Sequence, residues 1–211
     1  MQPFIQVDEF NYIREQVKRL VNAHSTTNDK AVLSAVKSIA IERVFALFSE
    51  IEDEQKNILQ PITDIHDKET GEKFLLHVKS YVIPFYVTEQ GIKKLFPKVK
   101  KLIIPSLEKF DLREVVYLSW FDPQTNKKYL VLNRMGKCLG VEGSFQSMNK
   151  KGVCAICNRH GEIGMFSIKE KRKGDGTFIS RGNFICTDSQ ECNNHLMNLE
   201  KLYEFVDNIQ K

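Results

Sequence analysis

The sequence has little of what would mark an extreme class. Among 211 residues there are 11 glycines and 6 prolines, too few for a collagenous or low-complexity chain. No apolar run approaches the roughly 20 residues of a membrane-spanning helix; the stretch Ser80-Tyr-Val-Ile-Pro-Phe-Tyr-Val87 is short and broken by a proline. Residues 1–8 have no basic n-region and no long apolar segment, so no signal peptide is expected. The reading is a cytoplasmic chain with no membrane contact. Cysteines there serve as metal ligands or free thiols more often than as disulfides. No Gly-x-Ser-x-Gly, phosphate loop or dinucleotide fingerprint occurs, and nothing points to an enzyme.

What is present is the mix of an ordinary globular chain, 42% hydrophobic and 27% charged. The charge is uneven. Residues 1–80 carry 10 Lys/Arg and 13 Asp/Glu, net −3, whereas residues 81–211 carry 21 and 14, net +7. A basic half suits RNA or an acidic protein equally.

The first half reads as helices. Phe10, Ile13, Val17, Leu20 and Val21 recur at helical spacing over residues 8–23, with Asp8 as the expected cap. The segment Thr26-Thr-Asn-Asp29 breaks the pattern and offers the cap of a longer helix whose stripe runs Leu33, Val36, Ala40, Val44, Leu47, Phe48, Ile51. A short helix precedes Pro61, and another fits residues 68–82 with Phe74, Leu75, Val78 and Val82 inward, ended by Pro84. The second half changes period. After a short basic helix at 89–96 capped by Thr88, residues 115–121 and 129–133 read as a hairpin around the turn Asp122-Pro-Gln-Thr-Asn126. Met135-Gly-Lys137 turns into a third strand at 138–142, and Trp120 is expected in the core. The expectation is an α+β chain: an N-terminal helical bundle over 1–82, then a C-terminal domain over 83–211 with a small antiparallel sheet and a metal finger at 150–211.

Four of the five cysteines carry that finger: Cys154-Ala-Ile-Cys157, then 28 residues, then Cys186-Thr-Asp-Ser-Gln-Glu-Cys192. A Cys-x-x-Cys turn lets two thiolates grip one tetrahedral ion. Between the pairs, residues 165–169 and 177–185 read as a hairpin about the turn Lys173-Gly-Asp-Gly176, and a helical stripe from Leu196 to Ile209 follows. Knuckle, hairpin and helix in that order make a treble-clef zinc finger. Four thiolates suit zinc better than iron, and a closed four-cysteine shell is structural, with no open position for chemistry. His195 and His160 each follow a cysteine by three residues, but four sulfurs already complete the shell. Cys138, in a strand, is expected to be a buried free thiol. A zinc deaminase would need His-x-Glu before Pro-Cys-x-x-Cys; here His160-Gly-Glu162 follows Cys154-Ala-Ile-Cys157, and the proline is absent.

Several segments carry a family likeness: Asn11-Tyr-Ile-Arg14, Val82-Ile-Pro-Phe85, Phe96-Pro-Lys-Val-Lys-Lys101, Asn126-Lys-Lys-Tyr129, Gly152-Val-Cys-Ala-Ile-Cys-Asn158, Arg181-Gly-Asn-Phe-Ile-Cys-Thr-Asp-Ser189 and Leu202-Tyr-Glu-Phe205. The chain resembles the elongation factor G-binding family, which includes the FusB-type fusidic acid resistance proteins, nearly end to end, and the long second cysteine spacing belongs to that pattern. The resemblance implies one structural Zn2+ on Cys154, Cys157, Cys186 and Cys192. It also implies that the chain binds elongation factor G, aids its release from the ribosome and so relates to fusidic acid resistance; a monomer is expected. The family's contact positions fall on Val153, Arg181, Phe184 and Phe205. Resistance members have Phe and Lys where this chain has Val153 and Arg181; Arg keeps the charge, and Val removes an aromatic face. The competing reading is a zinc-containing RNA- or ribosome-binding protein using Lys93, Lys94, Lys98, Lys100 and Lys101, and the run from Lys169 to Lys173.

Overall fold

The computed structural model describes residues 1–171 and 178–210, the side chains of residues 170 and 171 excepted. The expected turn at 173–176, with Lys173 and Thr177, lies outside them. The chain divides into two compact units, Met1–Ile83 and Pro84–Lys211.

The first unit is helical: α1 (Val7–Thr26), α2 (Lys30–Phe45), α3 (Asp53–Leu59) and α4 (Lys68–Lys79), with a 3-10 turn at Gln60–Asp64 that has Pro61 as its second residue. The N-cap of α1 is Gln6, not Asp8: Gln6 and Glu9 form a reciprocal capping box, and Asp8 falls in the first turn. Asp29 caps α2 by accepting from the amides of Ala31 and Val32. Phe10, Ile13, Val17 and Leu20 of α1 pack in the core with Phe74 and Val78 of α4. Each such burial stabilises the unit by about 1.5–3 kcal/mol. Gly71 sets the approach of α4 to α1, since a Cβ there would lie 2.9 Å from Val17. The α2 stripe is shorter than its sequence suggests. The helix stops at Phe45, leaving Leu47, Phe48 and Ile51 beyond it, and only Ala40 and Val44 are buried within it. Hydrogen bonds from the Phe4 amide to the Tyr81 carbonyl and from the Ile83 amide to the Ile5 carbonyl close the unit on itself.

The second unit opens with α5 (Glu89–Leu95), capped by Thr88. One antiparallel sheet follows in the order β1-β2-β3-β4-β5: β1 (Tyr117–Asp122), β2 (Lys127–Arg134), β3 (Lys137–Val153), β4 (His160–Lys171) and β5 (Phe178–Cys186). The sequence suggests a small three-stranded sheet and a separate finger hairpin. The structure joins them, because β3 is 17 residues long, pairing with β2 in its first half and β4 in its second. The register shifts between Ser147 and Lys150, where Asn149 takes a positive φ of 48°. Such an irregularity twists the strand into its second pairing. The β2–β3 turn is Met135-Gly136, both at positive φ, as a two-residue hairpin requires. Trp120 is half-buried, stacked on Tyr129 with centroids 5.0 Å apart.

The helical stripe after Cys186 is two helices, α6 (Ser189–Asn194) and α7 (Glu200–Ile209), rather than one. They are pinned to different strands. The Asn193 side chain accepts from the amides of Val116 and Tyr117 and donates to the Tyr117 carbonyl, holding α6 on β1. Arg134 of β2 pairs with Asp207, and the Tyr203 hydroxyl donates to the Asn133 carbonyl, holding α7 on β2. The chain turns between these anchors.

Candidate metal centre and partner surface

The cage is assembled from three places. The turn after β3 supplies Cys154 and Cys157, the end of β5 supplies Cys186, and α6 supplies Cys192. The five residues between Cys186 and Cys192 are taken up by the helix start, where Asp188 caps α6 by accepting from the amides of Gln190 and Glu191. All four sulfurs are buried and lie within 4.8 Å of one another. Two of the separations are 3.8 Å (Cys154–Cys192) and 3.7 Å (Cys157–Cys186). Zinc–sulfur bonds of about 2.3 Å in a tetrahedron require sulfurs about 3.8 Å apart, so this donor set fits one structural zinc. Among the described residues no histidine joins the group; His160 is exposed and His195 half-buried. Cys138 is free and half-buried rather than fully buried.

Two backbone amides favour a thiolate at Cys154. The amides of Ile156 and Cys186 donate to the Cys154 sulfur at 3.4 and 3.3 Å. Hydrogen bonds from Cys157, Cys186 and Cys192 hold the Cys154 thiol far below its ordinary pKa. The same crowding, led by Cys154, drives the Cys192 thiol far upward. Four thiolates within 4.8 Å of one another need a cation between them to offset their mutual repulsion. Tyr117, wholly buried, hydrogen-bonds Cys192, and burial first and then that neighbour push its hydroxyl well above the ordinary value.

Lys128 is the functional neighbour the sequence did not single out. It is 2% exposed. Its Nζ donates to the carbonyls of Cys186 (3.1 Å) and Thr187 (2.9 Å) and lies 4.5 Å from the centroid of the Phe145 ring. Burial pulls its pKa to about 8, against the opposing pull of Cys192, Cys186, Asp188 and Cys154. A buried ammonium beside a tetrathiolate offsets part of the negative charge. A signal was available: Lys128 shares the strand parity of the apolar Leu130 and Leu132.

The expected partner residues separate. Val153, 57% exposed, ends β3 just before the knuckle. Phe184, half-buried on β5, has Lys150 Nζ 5.1 Å from its ring centroid, and its carbonyl accepts from the Ala155 amide at 2.8 Å. The knuckle thus fixes the backbone at Phe184. Arg181 and Phe184 sit opposite Ile168 and Met165 on an unbroken strand. Three residues apart, their side chains leave opposite faces of the sheet. Phe205 is 3% exposed and packs on Phe166, ring centroids 5.8 Å apart, inside the core. Its position on the α7 stripe, with Leu202, Val206 and Ile209, carried that signal.

No helix among the described residues is long and apolar enough to cross a membrane. No curated protein matches the chain. Residues 4–86 match the family described as elongation factor G-binding protein, N-terminal, and residues 96–207 match the FBP C-terminal treble-clef zinc-finger. Among solved structures, that of the fusidic acid resistance protein FusC is 30% identical, with a TM-score of 0.86 over 98% of each chain. The matches to both halves of the sequence, and the four-cysteine cage itself, establish that this chain belongs to the family of elongation factor G-binding proteins with a C-terminal treble-clef zinc finger.

Proposed function

We propose that this protein binds elongation factor G with its second unit and modulates release of the factor from the ribosome, without catalysing a reaction. The carrying observation is the likeness to a fusidic acid resistance protein over 98% of both chains, within a family described by its binding of this factor. Zinc held by Cys154, Cys157, Cys186 and Cys192 is the brace. It joins the knuckle, the end of β5 and α6, and through the Ala155–Phe184 hydrogen bond it stiffens the strand that meets the factor.

The contact surface is the edge strand β5. Because Arg181 and Phe184 leave opposite faces, a partner that touches both must grip the strand edge rather than lie flat on one face. Val153 borders this edge beside the knuckle, and Phe205 supports it from the core. Aromatic and Arg side chains dominate interface energetics, and a prefixed backbone loses little entropy on docking. Fusidic acid resistance follows if binding frees factor trapped by the drug. The protein acts as a monomer in the cytoplasm, where its partner works.

A second reading, direct contact with ribosomal RNA, is favoured by Lys93, Lys94, Lys98, Lys100 and Lys101, all exposed within nine residues. Gel filtration with purified elongation factor G, and separately with ribosomal RNA, at moderate salt decides between them. The first reading expects co-elution with the factor. Co-elution with RNA alone, weakening by about 0.7 log unit per contacted phosphate for each tenfold rise in salt, supports the second.

A further inference from the structure

The first unit has an uncovered face. Of the sixteen residues of α2 only Ala40 and Val44 are buried, although the helix is rich in valine, isoleucine and alanine. Val32, Val36, Ile39 and Arg43, at spacings of four, three and four, form one stripe of it. Val32 and Ile39 are each 45% exposed. Between this stripe and α1 lies a groove of about 400 Å³. Its α1 wall carries Gln16, Arg19, Ala23 and Thr26, again at helical spacing.

The polar side chains lining the groove are Gln16, Arg19, Asn22, Thr26 and Arg43. Gln16 is 2% exposed, and its Nε2 has no hydrogen-bond partner. Buried amides are nearly always paired, so this one is an unmet donor beneath the groove wall. The ionisable residues lining the groove are Arg19 and Arg43. Arg19 is shared with Glu15 at 3.7 Å, and Arg43 has no acidic partner among the described residues. This basic groove sits on a unit whose first 80 residues carry net charge −3. An apolar floor between two helices, with guanidinium groups at one side, fits an amphipathic helix bearing a carboxylate.

We propose that the α1–α2 groove is a second docking site for elongation factor G, receiving an amphipathic helical segment whose apolar side chains cover Val36 and Ile39 and whose acidic residue meets Arg43. This inference rests on the partner named above, and on the match of residues 4–86 to the N-terminal domain of the same binding family.

The test uses the full zinc-loaded chain and purified elongation factor G. Ile39→Asp and Arg43→Glu change exposed positions, and circular dichroism checks their fold; Arg43→Gln is the milder variant should charge reversal disturb α2. Calorimetry should show at least a tenfold loss of affinity for Ile39→Asp and Arg43→Glu, a smaller loss for Arg43→Gln, and a charge-reversal effect that shrinks with salt. Hydrogen exchange should slow at residues 16–26 and 36–43 when the factor binds. Affinities within twofold of wild type, with no protection in those segments, overturn the groove proposal while leaving the β5 contact standing. Failure of wild type itself to bind the factor overturns the partner, and this inference with it.

Discussion

The two units solve the problem of stability differently. The first buries apolar stripes of α1 and α4 against one another and closes its ends with main-chain hydrogen bonds. The second builds a five-stranded sheet whose far end is tied by four sulfurs, a buried lysine and an asparagine that stands in for a strand partner. The first is held by many similar contacts, so no single one is decisive. The finger depends on one centre, and its loss releases the knuckle, the end of β5 and α6 together. That centre also fixes the strand proposed to meet the partner, so stability and recognition are linked in one unit.

The largest test of this contrast is removal of the centre. Cys154→Ser, or a strong chelator, should remove on the order of 10 kcal/mol of metal-linked folding energy and unfold the finger. The helical circular dichroism of the first unit should persist, and metal analysis should fall from one zinc per chain to none. Expressed separately, residues 1–83 should fold without metal and residues 84–211 only with it; a second fragment that folds under chelation would break the contrast. Next in size is Phe205→Ala, which empties a core position and should destabilise the second unit by about 3–5 kcal/mol, read in the thermal melt. Lys128→Met strands the carbonyls of Cys186 and Thr187 and should destabilise that unit by about 1–3 kcal/mol, with zinc more easily chelated. The smallest effect belongs to the solvent-facing Arg134–Asp207 pair: Arg134→Ala should lower the melt least, and the shift should vanish at high salt.

Much of this was legible in the sequence, for identifiable reasons. The cysteine spacing reports the cage because only a tight turn places two thiolates on one ion. The period change near Pro84 reports the passage from helices to strands, and Asp29 and Thr88 mark helix starts by their capping chemistry. The end of α2 was hidden because Leu47 and Phe48 continue the apolar spacing past the helix. The split between α6 and α7 was hidden because it is imposed by Asn193 and Asp207 reaching strands more than 70 residues away. Lys128 is hard to see in the sequence because a lysine in a Lys-Lys pair reads as surface until its strand parity is considered. Arg181 and Phe184 look adjacent along the chain, but strand alternation sends them to opposite faces.

The central claim, that a zinc-braced β5 edge recognises elongation factor G, is tested most directly by calorimetric titration of the factor into the folded, zinc-loaded Phe184→Ala variant. Phe184 is half-buried on an edge strand, so the melt should change little while binding weakens by about 2 kcal/mol or more, roughly thirtyfold. Wild-type affinity in that variant would contradict the account.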